Sequence, residues 1–148
     1  MYKILVVDDE EGILNLETRV FERTGFSVVT AKTAHDGLET FVKERPDVIF
    51  SDVRTGGPIG GIKDGIELAE KANKLNQSTL IYMTSGDMSE GQEQRLKKLR
   101  AEGAVKGFYW KPIEDIFGLA RQIKADVEAY QASLPSATLP YNNERINP

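Results

Sequence analysis

Five polar side chains stand at the ends of short apolar runs and together could do chemistry. Asp8 and Asp9 follow the first such run, Asp52 follows the third, and Thr84 and Lys111 end the last two. A short apolar run between polar residues is typical of a strand buried on both faces of a parallel sheet. A lone aspartate in such a place usually caps a turn. The functional interpretation therefore depends on the whole set.

Three carboxylates held together favour a divalent cation, because they otherwise repel one another and raise each other's pKa. An all-oxygen ligand set suits a hard ion, and we expect Mg²⁺. Beside such an ion Asp52 could attack phosphorus and form an acyl phosphate, since phosphoryl transfer depends chiefly on positioning and charge neutralisation. Lys111 would then pair with the phosphoryl oxygens, and Thr84 would hydrogen-bond to one of them.

The composition excludes several other classes of protein. The 148 residues suffice for one domain with a core. The absence of cysteine excludes disulfides and thiol catalysis, and a single histidine, His35, is too few for a triad or a histidine metal site. A net charge of -4 gives no indication of nucleic-acid binding. No apolar run approaches the roughly 20 residues of a membrane span, and no signal peptide is visible, so we expect a cytoplasmic protein.

Alternating strands and helices would position these side chains. Apolar runs predict strands at residues 3–7, 26–30, 48–50, 78–83 and 105–110. Helical spacing predicts helices at about 10–24, 33–45, 89–101 and 114–132, with another beginning at Asp64. Alternation with short connections predicts a parallel sheet covered by helices on both faces. The strand ends then lie on one edge, where residues distant in sequence converge.

The polar residues also carry a family resemblance. The sequences Asp8-Asp9, Asp52, Thr84-Ser85-Gly86 and Lys111-Pro112, in this order, resemble the CheY-like receiver domain of bacterial two-component response regulators over about residues 2–132. The resemblance implies an α/β, flavodoxin-like, doubly wound sheet of five parallel strands in the order 2-1-3-4-5 with five helices. It also implies a non-enzymatic protein that assists its own phosphorylation and dephosphorylation. Asp52 would accept a phosphoryl group from a sensor histidine kinase or histidine phosphotransfer protein.

The resemblance further assigns a role to individual residues. Asp8, Asp9 and Asp52 would bind Mg²⁺, with Asp9 the more direct ligand of the first two, and the backbone carbonyl of Arg54 would complete the protein ligands. The Lys111–Pro112 peptide bond would be cis. A switch would couple Thr84 to Phe108, which has no hydroxyl for an outward hydrogen bond.

The resemblance implies signalling to an unidentified protein target through the face of helix 4, strand 5 and helix 5. We expect Tyr109 or Trp110 to be exposed there as an anchor. Residues 1–132 would form the receiver domain, and residues 133–148 a flexible C-terminal tail without an effector domain. No DNA binding and no membrane contact are expected, and the protein would be a monomer or a weak phosphorylation-dependent dimer.

One segment departs from the family pattern. Residues Thr55 to Ile62 contain four glycines, replace the usual Met-Pro pair and lengthen the connection before Asp64-Gly65. The segment is either a tolerated insertion, since a longer loop costs roughly 0.6 kcal/mol per doubling of length, or a mobile flap beside Asp52. Arg54 either binds phosphate or an acid, or is solvated. We expect His35 to be structural or solvated, far from the strand-end edge.

Three rival functions remain. An adaptor with the receiver fold would bind a partner without phosphate, but it would not need Asp9, Asp52, Thr84 and Lys111 together. A Mg²⁺-dependent phosphatase with an aspartyl nucleophile would need an acid where this chain has Arg54. A flavodoxin-like cofactor protein is the weakest rival, because acids after the first strand would repel a phosphate.

Overall fold

A computed structural model gives the conformation of residues 1–135, in which five strands alternate with five helices. In chain order the elements are β1 (Lys3–Val7), α1 (Glu11–Thr24), β2 (Ser27–Ala31), α2 (Ala34–Glu44), β3 (Val48–Asp52), α3 (Gly65–Leu75), β4 (Leu80–Ser85), α4 (Glu90–Ala101), β5 (Gly107–Trp110) and α5 (Ile116–Ser133).

The five strands form one parallel sheet in the order β2-β1-β3-β4-β5, which confirms the predicted topology. The strand order reverses between β1 and β3, and open α/β sheets bind their ligands at such a point, outside the carboxyl ends of the strands. Helices cover both faces: α1 and α5 pack on one, and α2, α3 and α4 on the other.

Two apolar cores explain why the central strands carry uninterrupted apolar runs. Alternate residues of a strand point to opposite faces. Leu5 and Ile49 therefore belong to the core beneath α2, α3 and α4, whereas Ile4 and Phe50 belong to the core beneath α1 and α5. Every residue of β3 and of β4 is buried. This buried centre holds the residues at the carboxyl ends of the two strands.

Local signals fix most helix ends where the sequence predicts them. Gly25 ends α1 in the left-handed conformation, with φ +105°. The Thr33 side chain caps α2 and the Asp64 side chain caps α3, accepting from Asp36 N at 3.0 Å and Glu67 N at 2.8 Å, respectively. Ser89 begins α4 with a reciprocal capping box.

Where the boundaries differ from the prediction, they differ by one or two residues. β3 continues through Asp52 because Asp52 still pairs with Thr84 of β4. β5 begins only at Gly107, because the Val105 amide bonds to the carbonyl of Leu99 at the end of α4. The Lys111–Pro112 bond is cis, as predicted.

The structure describes the C-terminal part of the chain only as far as residue 135. Helix α5 ends at Ser133, one residue later than predicted. The rest of the predicted tail, residues 136–148, lies outside the described residues. Within residues 1–135 none of the helices is both long and apolar enough to cross a membrane.

Candidate functional site

Three acids meet at the carboxyl edge of the sheet. Asp8 follows β1, Asp52 ends the neighbouring strand β3, and Asp9 comes next to Asp8. Each offers a carboxylate oxygen, and these oxygens all lie within 4.8 Å of one another. Asp8 and Asp52 are buried, with 1% and 8% exposure, whereas Asp9 is exposed. Asp8 and Asp52, which are 44 positions apart in the sequence, thus share one site, as the parallel topology predicts.

Lys111 bridges two of these acids. Its Nζ lies 2.6 Å from Asp8 Oδ2 and 2.8 Å from Asp52 Oδ2. Burial alone would lower the pKa of Lys111, but the hydrogen bonds to Asp52 and Asp8 outweigh burial and raise the pKa above its usual value. The side chain is therefore a fixed ammonium at physiological pH, directed at the two buried carboxylates.

Backbone amides hold the opposite carboxylate oxygens. Asp8 Oδ1 accepts a hydrogen bond from Glu10 N at 2.9 Å, and Asp52 Oδ1 accepts one from Arg54 N at 3.0 Å. Burial raises the pKa of Asp8, and the hydrogen bonds from Lys111 and Glu10 only partly oppose it. Independently of this burial effect, three acids face a single lysine at the site, and a further cation would relieve their repulsion.

The donor set fits Mg²⁺. All three acids supply oxygen, and each carboxylate oxygen has lone pairs beyond the single hydrogen bond described for it. Asp9 makes no side-chain hydrogen bond to residues 1–135, so its carboxylate is available. Hard cations prefer such oxygen ligands. The role of the Arg54 carbonyl stays a prediction; its guanidinium is directed to the rim, where Nη1 lies 3.3 Å from Asp87 Oδ1.

Thr84 lies at the site, directly paired with Asp52 in the sheet register. It is buried, and its hydroxyl makes no hydrogen bond within the described part of the chain. On its other side Thr84 pairs with Tyr109, whereas Phe108 pairs with Met83. Phe108 packs against the core beneath α2, α3 and α4, so the coupling of Thr84 to Phe108 stays a prediction.

The aromatic residues of β5 differ in exposure. Trp110 is 54% exposed, whereas Tyr109 is partly buried against the core beneath α1 and α5. The ring of Trp110 packs edge-to-face on Phe108, with centroids 4.9 Å apart. Of Tyr109 and Trp110, Trp110 is therefore the aromatic residue that β5 presents at the surface.

A cavity of about 590 Å³ opens beside the acids, between α1 and the segment that follows β5. Glu17 lines it, and sequence reasoning missed this residue. Glu17 is only 4% exposed, and burial, followed by the nearby charge of Asp8, raises its pKa to about 8. A signal was present: Glu17 lies four residues after Ile13 and three before Val20, on the apolar face of the predicted helix.

The glycine-rich segment folds onto the start of α2. The Ile62 amide donates to His35 Nδ1 at 3.3 Å, and the His35 amide donates to the Gly56 carbonyl at 3.4 Å. A Cβ added to Gly57 would lie 2.5 Å from His35 Cβ, so only glycine allows this approach. His35 therefore has a structural role, which is one of the two predicted alternatives. It contacts the glycine-rich segment that follows Asp52.

Sequence comparisons agree with this geometry. The family model for the response regulator receiver domain matches residues 4–115. Sporulation initiation phosphotransferase F of Bacillus subtilis (strain 168) is 33% identical over 95 residues, which cover 63% of this chain and 73% of that protein. The alkaline phosphatase synthesis transcriptional regulatory protein PhoP of the same organism is 32% identical over 141 residues, covering 93% of this chain and 53% of that protein.

A structural comparison points to the same family. A CheY-like response regulator receiver domain protein from Methanospirillum hungatei JF-1 superposes with a TM-score of 0.76 at 25% identity, covering 90% of this chain and 99% of that one. The family match runs from the second residue of β1 through β5 and includes every residue of the acid–lysine site. With its fold, its site geometry and these matches, the chain belongs to the response regulator receiver domain family.

Proposed function

We propose that this receiver domain is phosphorylated on Asp52 and signals through the phosphorylated state. The donor would be a phosphohistidine on a sensor histidine kinase or a histidine phosphotransfer protein. A carboxylate oxygen of Asp52 bonds to phosphorus while the bond from phosphorus to the donor imidazole breaks, which leaves an acyl phosphate. The observation that carries this proposal is the Lys111 ammonium, held at 2.8 Å from Asp52 and 2.6 Å from Asp8 in an acid cluster.

Each residue of the site has a role in this reaction. Lys111 exchanges its contact with Asp52 for one with a phosphoryl oxygen and neutralises its charge. The free Thr84 hydroxyl donates to a second phosphoryl oxygen. The Arg54 amide fixes one oxygen of Asp52, at 3.0 Å, and so orients the carboxylate. Asp8, Asp9, Asp52 and the Arg54 carbonyl would hold Mg²⁺, which when bound neutralises the anionic oxygens of the phosphoryl group.

The proposed output surface is formed by α4, β5 and α5. Phosphorylation would draw Thr84 toward the phosphoryl group and allow Phe108 to repack. The exposed Trp110 packs edge-to-face on Phe108 and would transmit that movement to a protein target. A cytoplasmic location and a monomer or weak phosphorylation-dependent dimer stay predictions.

Intact-mass spectrometry tests the proposal. The protein is incubated with Mg²⁺ and a small acyl phosphate, and we expect the mass of one phosphoryl group to be added. The Asp52→Asn variant should show no adduct, whereas Asp36→Asn, which changes an exposed acid in the first turn of α2, should be labelled like the wild type.

Other outcomes would contradict the proposal. No adduct under conditions that label other receiver domains would favour a phosphate-independent adaptor. An adduct that persists in Asp52→Asn would place the phosphoryl group on another residue. Repeated turnover of small phosphate esters would favour a phosphatase.

A further inference from the structure

Glu17 is a buried acid without a partner. Its side chain lines the cavity beside the acid cluster, yet the residue is 96% shielded from solvent. It forms neither a hydrogen bond nor an ion pair with any residue of the described part of the chain, 1–135. Buried carboxyl groups are normally hydrogen-bonded or paired, because an unpaired one costs several kcal/mol when it is charged. A ligand in the cavity would supply the missing partner.

The charge of the cavity lining favours a cation. Five carboxyl groups and only two cationic side chains line it. Both cations are already engaged: Lys111 with Asp8 and Asp52, and Arg54 with Asp87. Lys111 acts on the Glu17 carboxyl only at a distance, and neither cation forms an ion pair with it. A positively charged ligand would therefore meet an excess of negative charge and an acid that no side chain of residues 1–135 pairs with.

The apolar side chains that line the cavity around Glu17 favour a cation that also carries an apolar group. Ile13 and Leu16 line the cavity from α1, and Ile113 and Ile116 line it from the segment around the start of α5. Leu16 is 48% exposed, so this apolar surface reaches the mouth. A volume of about 590 Å³ is in the range of pockets that bind small organic molecules, roughly 300–1,000 Å³.

We propose that this cavity binds a small organic cation, whose ammonium or amidinium group donates to the Glu17 carboxylate while its apolar body covers the isoleucines of α1 and α5. The ligand class is a primary amine or amidine with an aliphatic or aromatic group. Asp9 and Asp52, the proposed Mg²⁺ ligands, also line this cavity. The organic cation would bind beside them, at Glu17 and its apolar neighbours, since a hard dication needs oxygen ligands and water rather than apolar walls. The inference does not depend on phosphoryl transfer to Asp52.

Protonation of Glu17 is linked to this binding. With a pKa of about 8 the carboxyl is mostly neutral at neutral pH, and the ligand binds as its proton leaves to solvent. The charged groups that act on Glu17 from the packed strands are Asp8, Asp52 and Lys111. The two acids disfavour its ionisation and Lys111 favours it. A bound organic cation would add to the effect of Lys111.

Nuclear magnetic resonance titration tests the site directly. Amide shifts of the ¹⁵N-labelled protein are followed at saturating Mg²⁺, with benzylamine as the probe and benzyl alcohol as its uncharged analogue. Benzylamine should shift amides of α1 and of the segment after β5 saturably, and benzyl alcohol should bind about tenfold more weakly, the scale of one charge-assisted hydrogen bond. The Glu17→Gln variant should lose this preference, and Glu11→Gln, an exposed acid of the same helix, should keep it.

Three results would overturn the inference. One is equal binding of benzylamine and benzyl alcohol. Another is undiminished benzylamine binding in both Glu17→Gln and Glu17→Leu. The leucine variant is included because glutamine could still accept a hydrogen bond from the amine. The third is loss of benzylamine binding in Asp52→Asn while Glu17→Gln retains it, which would place the amine at the acid cluster. Since Asp52 phosphorylation is measured separately by intact mass, failure here would leave the proposed function untouched.

Discussion

Replacing Glu17 by glutamine should stabilise the protein at neutral pH and have little effect in acid. The side chain is buried in the wall of the cavity, where the neutral form is favoured over the carboxylate. Glutamine keeps the shape of the side chain but cannot ionise. Comparing the variant with the wild type therefore isolates the part of the free energy of unfolding that is lost because the folded state keeps Glu17 protonated.

The magnitude follows from the two pKa values. In the folded state the pKa of Glu17 is about 8, whereas the model value that applies to the unfolded chain is 4.5. Between these values the folded state retains a proton that the unfolded state has released, so the free energy of unfolding falls as pH rises. From about pH 5 to about pH 7 the linkage relation gives a loss of about 2.5 kcal/mol. Below the unfolded pKa the loss vanishes, and above the folded pKa it stays constant.

Urea denaturation followed by far-ultraviolet circular dichroism measures this effect in the absence of Mg²⁺. The wild type, Glu17→Gln and the control Glu11→Gln are compared across this pH range. Taking the difference between two variants removes the contribution of other groups, including Asp8, whose pKa is also raised. The difference between Glu17→Gln and wild type should grow with pH and exceed the difference seen for the exposed control Glu11→Gln. A pH-independent difference at Glu17 would refute the reasoning.

Three further substitutions test how the fold positions the site. Gly65→Ala should destabilise the protein by about 1–3 kcal/mol, because its Cβ would overlap the backbone carbonyl of Asp52, the last residue of β3. Urea denaturation measures this, and Gly91→Ala, with open space around it, is the control. Gly57→Ala should displace the glycine-rich segment from His35 and accelerate tryptic cleavage there, as limited proteolysis would show. Asp64→Ala should cost about 1–2 kcal/mol in the same denaturation assay, because α3 loses its N-terminal cap.

Each of these expectations has a contradicting outcome. Equal stability of Gly65→Ala and the wild type would mean that the loop before α3 accommodates a side chain at no cost. Unchanged cleavage in Gly57→Ala would mean that the glycine-rich segment does not depend on its close approach to the histidine. Asp64→Ala with wild-type stability would show that the cap and the ion pair from Arg95, at 2.9 Å, contribute nothing measurable.

Much of the fold was predictable because its signals are local or topological. The apolar run of β1, the left-handed Gly25 and the cap at Asp64 each depend on a few neighbouring residues. The convergence of Asp8 and Asp52 followed from alternating strands and helices, since parallel strands end at one edge. These features need no knowledge of tertiary contacts.

The remainder depends on contacts between distant residues. Nothing near His35 in sequence indicates that its Nδ1 accepts from Ile62, 27 residues away. The residues around Arg95 likewise give no sign that it pairs with Asp64 at 2.9 Å, 31 residues away, and with Glu70 at 3.4 Å, 25 residues away. Glu17 had a pattern signal, but the packing of α5 and the strands around it determined its burial.

Chemical mapping of the phosphoryl group tests the central claim most directly. The protein is incubated with a small acyl phosphate, with and without Mg²⁺, reduced with borohydride and digested for tandem mass spectrometry. Borohydride converts an aspartyl phosphate to homoserine, so the account predicts homoserine at position 52, formed only when Mg²⁺ is present. Homoserine at position 8 or 9, or equal labelling of Asp52 without Mg²⁺, would contradict an acceptor carboxylate that depends on a shared cation.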